Sequence, residues 1–178
     1  MCTAILWEID MFKIGDTVIH PNHGVCKVES IQNDVSTEAK RLIYVLKPNK
    51  PIPGNFRLLI PKEAIKGSGV HYPVSKSKIP SILQVLEDEP NDLSEDYTRG
   101  YDLSKEKIQS GNLYKTAEAL RDLEKQKGHK SYSIKDQLVQ SAKKILIEEI
   151  SYVKSIHKYE AEELIDNALQ KKERREKQ

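Results

Sequence analysis

The hydrophobic period changes once along this chain, near residue 70, and that change limits the possible folds more than any composition figure. Before it, the apolar runs are short and strand-like, at residues 14–20, 25–31, 42–46 and 56–60. After residue 74, apolar side chains recur at helical spacing. A β-rich module followed by a helical one, an α+β chain, is the expected architecture.

The first module opens with Ile14, Val18 and Ile19 around the polar pair Gly15 and Asp16. Pro21, Asn22, His23 and Gly24 then supply a fixed φ, an Asx side chain and a residue free to take positive φ, the ingredients of a tight turn. Val25, Val28 and Ile31 resume the apolar pattern. Residues 42–46 (Leu-Ile-Tyr-Val-Leu) are apolar on both faces, as in a central strand. In the next run Phe56, Leu58 and Ile60 share one face, and Arg57 and Leu59 the other. The connection between them, residues 47–55, holds three prolines and a glycine and can be neither helix nor regular strand. A helical turn is expected at residues 61–65, followed by a hinge at Gly67, Ser68 and Gly69. Short twisted strands of this kind predict a small antiparallel β-barrel over residues 11–68. So small a barrel is marginal alone, and it is expected to dock on a neighbour.

The helical module spans residues 75–170 and should hold about five helices. Ile79, Ile82, Leu83 and Leu86 mark the first, with Pro80 near its start. A second is expected over residues 94–109, closed by Ser110 and Gly111. Asn112 can cap a third that carries Leu113, Ala117, Leu120 and Leu123 inward and ends at Gly128. A fourth starts at Ser133, with Leu138, Ala142, Ile145, Glu149 and Ile156 on one stripe. A fifth covers residues 159–172, and the charged tail 171–178 should fray.

The chain has 178 residues, 31% of them charged, with 29 basic against 27 acidic residues. A net charge of +2 does not announce a nucleic-acid binder, so any such contact must rest on local clustering. No apolar run approaches the roughly 20 residues of a membrane span. Residues 1–10 lack a basic leader and a cleavage site, and they read as a non-native or disordered leader before a natural start at Met11. The two cysteines, Cys2 and Cys26, make neither a disulfide framework nor a metal set, which suits a reducing cytoplasm. Cys26 reads as a small core hydrophobe. His20 and His23 have metal-like spacing but no third ligand nearby, so a structural role is expected. Glu148, Glu149, Glu160, Glu162 and Glu163 read as helical acids rather than an acid–base pair. No phosphate loop, nucleophile elbow or dinucleotide fingerprint occurs, and neither an enzyme nor a cofactor is expected.

The opening Phe-Lys-Ile-Gly-Asp at residues 12–16, with the Pro-x-x-Gly turn behind it, resembles the start of the CarD family, bacterial regulators that contact RNA polymerase. It also resembles the polymerase-interacting module of transcription-repair coupling factors. Residues 110–123, which run from Ser-Gly into Ala-Glu-Ala-Leu-Arg-Asp-Leu, resemble the family's helical segment. Residues 142–150 and 163–169 resemble the two that follow. The resemblance covers residues 11–169. It implies a Tudor-like barrel that docks on the β subunit of RNA polymerase. It also implies a helical domain lying on promoter DNA at the upstream edge of the melted bubble, where an aromatic wedge stabilises the open complex. No membrane and no small-molecule substrate are implied, and the expected place is the cytoplasm, nucleoid-associated through polymerase.

On this alignment Tyr97 stands where the family usually has tryptophan, Arg99 keeps the family's first arginine, and Gly100 replaces the second. Tyrosine can still insert an apolar ring, but with less area. Tyr101, one turn on, is expected to pack in the core. Lys125, Lys127, His129, Lys130 and Lys135 cluster around the turn between the third and fourth helices, with Lys143 and Lys144 further along, and they are the candidate phosphate contacts. For polymerase the candidate is an exposed strand edge with Arg41, Arg57 and Leu59. The family's arginine positions fall on Asp34 and Leu59, so Arg57 is the substitute. A protein–protein adaptor that binds polymerase or another partner without touching DNA is the alternative function.

Overall fold

The computed structural model describes residues 11–34, 41–50, 54–91, 97–125 and 132–175. Four antiparallel strands, β1 (Thr17–His20), β2 (Gly24–Asp34), β3 (Arg41–Pro48) and β4 (Leu58–Pro61), lie in that order in one sheet. β1 and β2 form a hairpin through the expected turn, with His20 opposite Gly24 and Val18 opposite Cys26. β3 is one of the sheet's two inner strands, as its two apolar faces required, and Tyr44, Val45 and Leu46 are buried.

The sheet is open and does not close into a barrel. β4 is four residues long and ends at Pro61, which has no N–H to continue a ladder. Among the described residues, the outer edge of β1 is met by a single bridge, in which the Ile19 N–H donates to the His71 carbonyl at 2.8 Å and His71 N–H to the Ile19 carbonyl at 3.2 Å. Ile65, on a 3-10 turn at Lys62–Gly67, and Val70 join the sheet's apolar side chains in one core. Phe12 sits in that core edge-on to Tyr44 and Tyr72, with ring centroids 5.9 and 4.9 Å apart. Cys26 is fully buried, and burial pushes its thiol up to about 11, so it behaves as the expected hydrophobe.

The helices are α1 (Ile79–Glu87), α2 (Tyr97–Gln109), α3 (Leu113–Lys125), α4 (Tyr132–Lys154) and α5 (Lys158–Arg175). Pro80 sits in the first turn of α1, where its missing N–H costs nothing. Asn112 caps α3, its Oδ1 accepting the N–H groups of Tyr114 at 3.0 Å and Lys115 at 3.4 Å. Leu113, Ala117, Leu120 and Leu123 bury their side chains in a core shared by all five helices. α5 runs further into the charged tail than its composition suggested, and Lys171 pairs with Glu87 of α1 at 2.9 Å.

α4 is closed by the residue after it, Ser155, a non-glycine residue at φ 56°. The Ile156 N–H closes onto the Ser151 carbonyl and the Ser155 N–H onto that of Tyr152, a Schellman closure. An L-residue in that conformation costs about 1–2 kcal/mol. Ser155→Gly should therefore stabilise the chain by roughly 1 kcal/mol, part of the gain being lost to glycine's freer unfolded state. Thermal unfolding checks it, and a lowered midpoint would mean that the serine side chain contributes more than its backbone costs.

Candidate functional site

β4 is one of the two edge strands of the sheet. Leu59 on it is 63% exposed and stands opposite Val45 in the register. Arg57, just before β4, is not a loose cation. Its Nη2 donates to Glu29 Oε1 at 2.8 Å and its Nε to Glu29 Oε2, a bidentate pair. Glu29 falls where the β2–β3 register shifts between Val28 and Ser30, a bulge that turns its side chain toward Arg57. The guanidinium's hydrogen bond is the main reason the Glu29 carboxyl lies below its usual range. Arg41 begins β3, exposed, opposite Asp34 of β2. Ile14, also exposed, lines a shallow hollow of about 380 Å³ with Lys27, Glu29 and Lys47.

His20 and His23 lie in the hairpin turn with ring centroids 4.9 Å apart, and His23 is 5.4 Å from the ring of Phe56. The Asn22 N–H donates to His20 Nδ1 at 3.1 Å. Burial, then the charge of His23, pushes His20 down to about 4. It is therefore neutral near pH 7 and able to accept that bond.

On the helical side, the tight turn at Ser110 and Gly111 folds α2 back along α3. Lys107 of α2 reaches Glu118 of α3 at 3.2 Å and Asp122 at 3.6 Å, which fixes the antiparallel register. The start of α2, with Tyr97 and Arg99, therefore lies at the end of the bundle where α3 finishes at Lys125. α4, which packs against both, starts there with Lys135 in its first turn. Sequence-distant candidates thus converge on one end of the bundle. Arg99 is exposed and Lys135 half-buried. The side chains of Tyr97 and Lys125 and the whole of Lys127, His129 and Lys130 lie outside the described residues. Tyr101 packs against the helical core as expected.

Lys143 and Lys144 do not join that end. Lys143 pairs with Asp166 of α5 at 3.0 Å. Lys144 Nζ donates to the Asn22 carbonyl in the sheet module at 3.4 Å.

Behind the convergent end lies a buried polar knot. Arg121 donates through Nε and Nη2 to Asp122 Oδ1 at 2.9 and 2.8 Å, and through Nη1 to the Val85 carbonyl of α1 at 3.3 Å. Asp122 also accepts the backbone N–H of Asn91 at 3.0 Å. The knot ties the end of α1, the segment at Asn91 and the last turn of α3 into one frame.

The residues that sequence reasoning missed are those joining the two modules. Glu149 is fully buried; its Oε2 lies 3.0 Å from His71 Nε2 and its Oε1 accepts the Val74 N–H at 2.9 Å. Glu148 takes Lys158 of α5 at 2.8 Å and Lys50, two residues past β3. Burial disfavours the charged form of Glu148, but the two lysines outweigh it and hold the carboxyl below its ordinary value. Gly69 and Gly111 bring the backbones of the modules into contact. Both take positive φ, and a Cβ on Gly69 would lie 2.4 Å from the Gln109 carbonyl oxygen, one on Gly111 2.4 Å from that of Gly69. The expected hinge is a clamped junction. One signal for Glu149 was on the page: a carboxylate on the apolar stripe of α4, one turn beyond Ile145.

Among known proteins, residues 81–166 match the family model described as CarD, C-terminal domain, and residues 12–71 the CarD-like/TRCF RID domain. The chain is also similar to a Bacillus subtilis (strain 168) protein named "Putative transcription factor YdeB", 26% identical over 147 residues, which cover 82% of this chain and 94% of that one.

Proposed function

The chain belongs to the CarD family, whose N-terminal module is a polymerase-binding domain, and on that premise we propose that it is a non-enzymatic transcription regulator bridging RNA polymerase and promoter DNA. The sheet module, with Leu59 exposed on β4, Arg57 paired to Glu29 of β2 and Arg41 at the start of β3, docks on the polymerase β subunit. The end of the bundle bearing Tyr97, Arg99, Lys125 and Lys135 meets DNA at the upstream edge of the bubble and holds the open complex. The observation that carries the reading is the convergence of the start of α2, the end of α3 and the start of α4, the helix ends whose sequence holds Tyr97, Arg99, Lys125 and Lys135, on a helical body clamped to the sheet module. Nucleic-acid affinity built this way combines phosphate neutralisation with a partial unstacking wedge.

Promoter melting followed by a fluorescent base, with polymerase and the full chain, tests it. Tyr97→Ala should shorten open-complex lifetime about tenfold, as expected for losing a stacking contact worth about 1–3 kcal/mol, while polymerase binding stays unchanged. Added salt should weaken the DNA contact steeply. Parent-like lifetimes in the variant, together with salt-insensitive binding, would favour the adaptor reading. The engagement of Lys143 and Lys144 within the fold is the observation on that side.

A further inference from the structure

We propose that His71 and Glu149 form a protonation-dependent clasp, which locks the sheet module onto α4 when the imidazole carries two protons and loosens when it loses one. The inference goes beyond the reading above, and neither polymerase nor DNA enters its test.

The backbone of His71 is fixed to β1 by its bridge to Ile19. Its ring stands between two acceptors. Nδ1 is 2.9 Å from the Gly69 carbonyl and Nε2 is 3.0 Å from Glu149 Oε2. Neither a carbonyl nor a carboxylate has a proton to give, so only a doubly protonated ring satisfies both. A neutral ring keeps one N–H and turns a lone pair toward the other acceptor. Glu149 has no route to water that would soften this loss, because its side chain is fully buried.

The charged groups around the pair leave His71 to supply the compensating charge. On α4, the adjacent Glu148 is the group that Lys50, just past β3, and Lys158 from α5 engage. On the sheet side, the neighbouring Tyr72 hydroxyl donates to Asp16 at 2.6 Å. Beyond the bridge, His20 is held neutral near pH 7. The Val74 N–H binds Glu149 but carries no net charge.

Burial works against the charged His71 ring. The hydrogen bond and charge of Glu149, helped by the Gly69 carbonyl, outweigh it and raise the group above its ordinary value. A group raised in the native state stabilises that state fully below its unfolded value, near pH 6.5, and the contribution is lost as pH rises through the native value. The clasp is therefore tight in mild acid and slackens on the alkaline side.

The Val74 amide, whose proton is held by Glu149, is the local reporter. Hydrogen exchange on the full chain, corrected for the intrinsic rate, should show Val74 protection falling about tenfold between about pH 6 and about pH 8.5, with the Leu120 amide in α3 as an unmoved control. His71→Arg, permanently charged, should keep Val74 protected at both values. His71→Gln should leave it weakly protected at both. A Val74 protection independent of pH in the parent, or an equal fall in His71→Arg, would overturn the clasp. If the variants do not fold, the parent ring still decides by proton resonance titration: a midpoint above that of free histidine supports the clasp, and one at or below it removes it.

Discussion

Asp122→Ala should lower the stability of the helical module by about 3–5 kcal/mol, the usual consequence of removing one partner of a buried ion pair. The loss is large because Asp122 does three things at once. It neutralises Arg121, which is itself buried, holds the Asn91 N–H, and lies within reach of Lys107. Removing the carboxylate strands a guanidinium that the helical core cannot hydrate. Single domains are stable by only about 5–15 kcal/mol, so a loss of this size puts the bundle near its limit. Urea unfolding followed by far-ultraviolet circular dichroism measures it, with the midpoint shifted and the slope kept. A double replacement of Arg121 and Asp122 by leucine should recover much of the loss, since no charge is then left unpaired. A shift below about 1 kcal/mol in the single variant would show that the knot is dispensable.

Gly69→Ala should part the two modules. At φ +73° alanine meets a left-handed penalty of about 1–2 kcal/mol. Its Cβ would also fall 2.4 Å from the Gln109 carbonyl oxygen and 2.8 Å from Pro21 Cγ. The first obstacle is backbone at the end of α2 and cannot swing aside as a side-chain tip could, which adds overpacking of about 1–3 kcal/mol. The least costly response is for the junction to open while each core stays intact. Small-angle scattering should then report a larger radius of gyration, and unfolding should split into two transitions. One cooperative transition and unchanged scattering would mean that the contact relaxes locally.

Elements with local causes were legible in the sequence. β3 followed from an apolar run on both faces, α1 from Pro80 ahead of Ile82 and Leu86, and α3 from the cap at Asn112. The cap bonds span only two and three residues. What was not legible depends on distance. Glu149 meets His71 across 78 positions, and a stripe drawn along α4 cannot say which side chain from another module will meet its one carboxylate. Gly67, Ser68 and Gly69 read as a flexible hinge because glycine permits both slack and close approach; the approach of the 109–111 backbone selects the second. The barrel failed to close for a reason visible only in part. Pro61 read only as the start of a helical turn, and the bridge from His71 to β1 had no signal in the sequence. The candidate cations divided likewise. Their types were plain, but partners such as Asp166 for Lys143 lie on another helix.

α4 has a mechanical consequence. Its 23 residues carry Lys135 in the first turn and Glu149 near the far end, so at about 1.5 Å per residue the two are some 21 Å apart along a stiff rod. On the proposed function, such a rod would hold the DNA-facing end of the bundle at a set distance from the junction with the sheet module, so that a polymerase and a promoter presented at the matching interval would be bound together, the second at a raised effective concentration once the first is engaged.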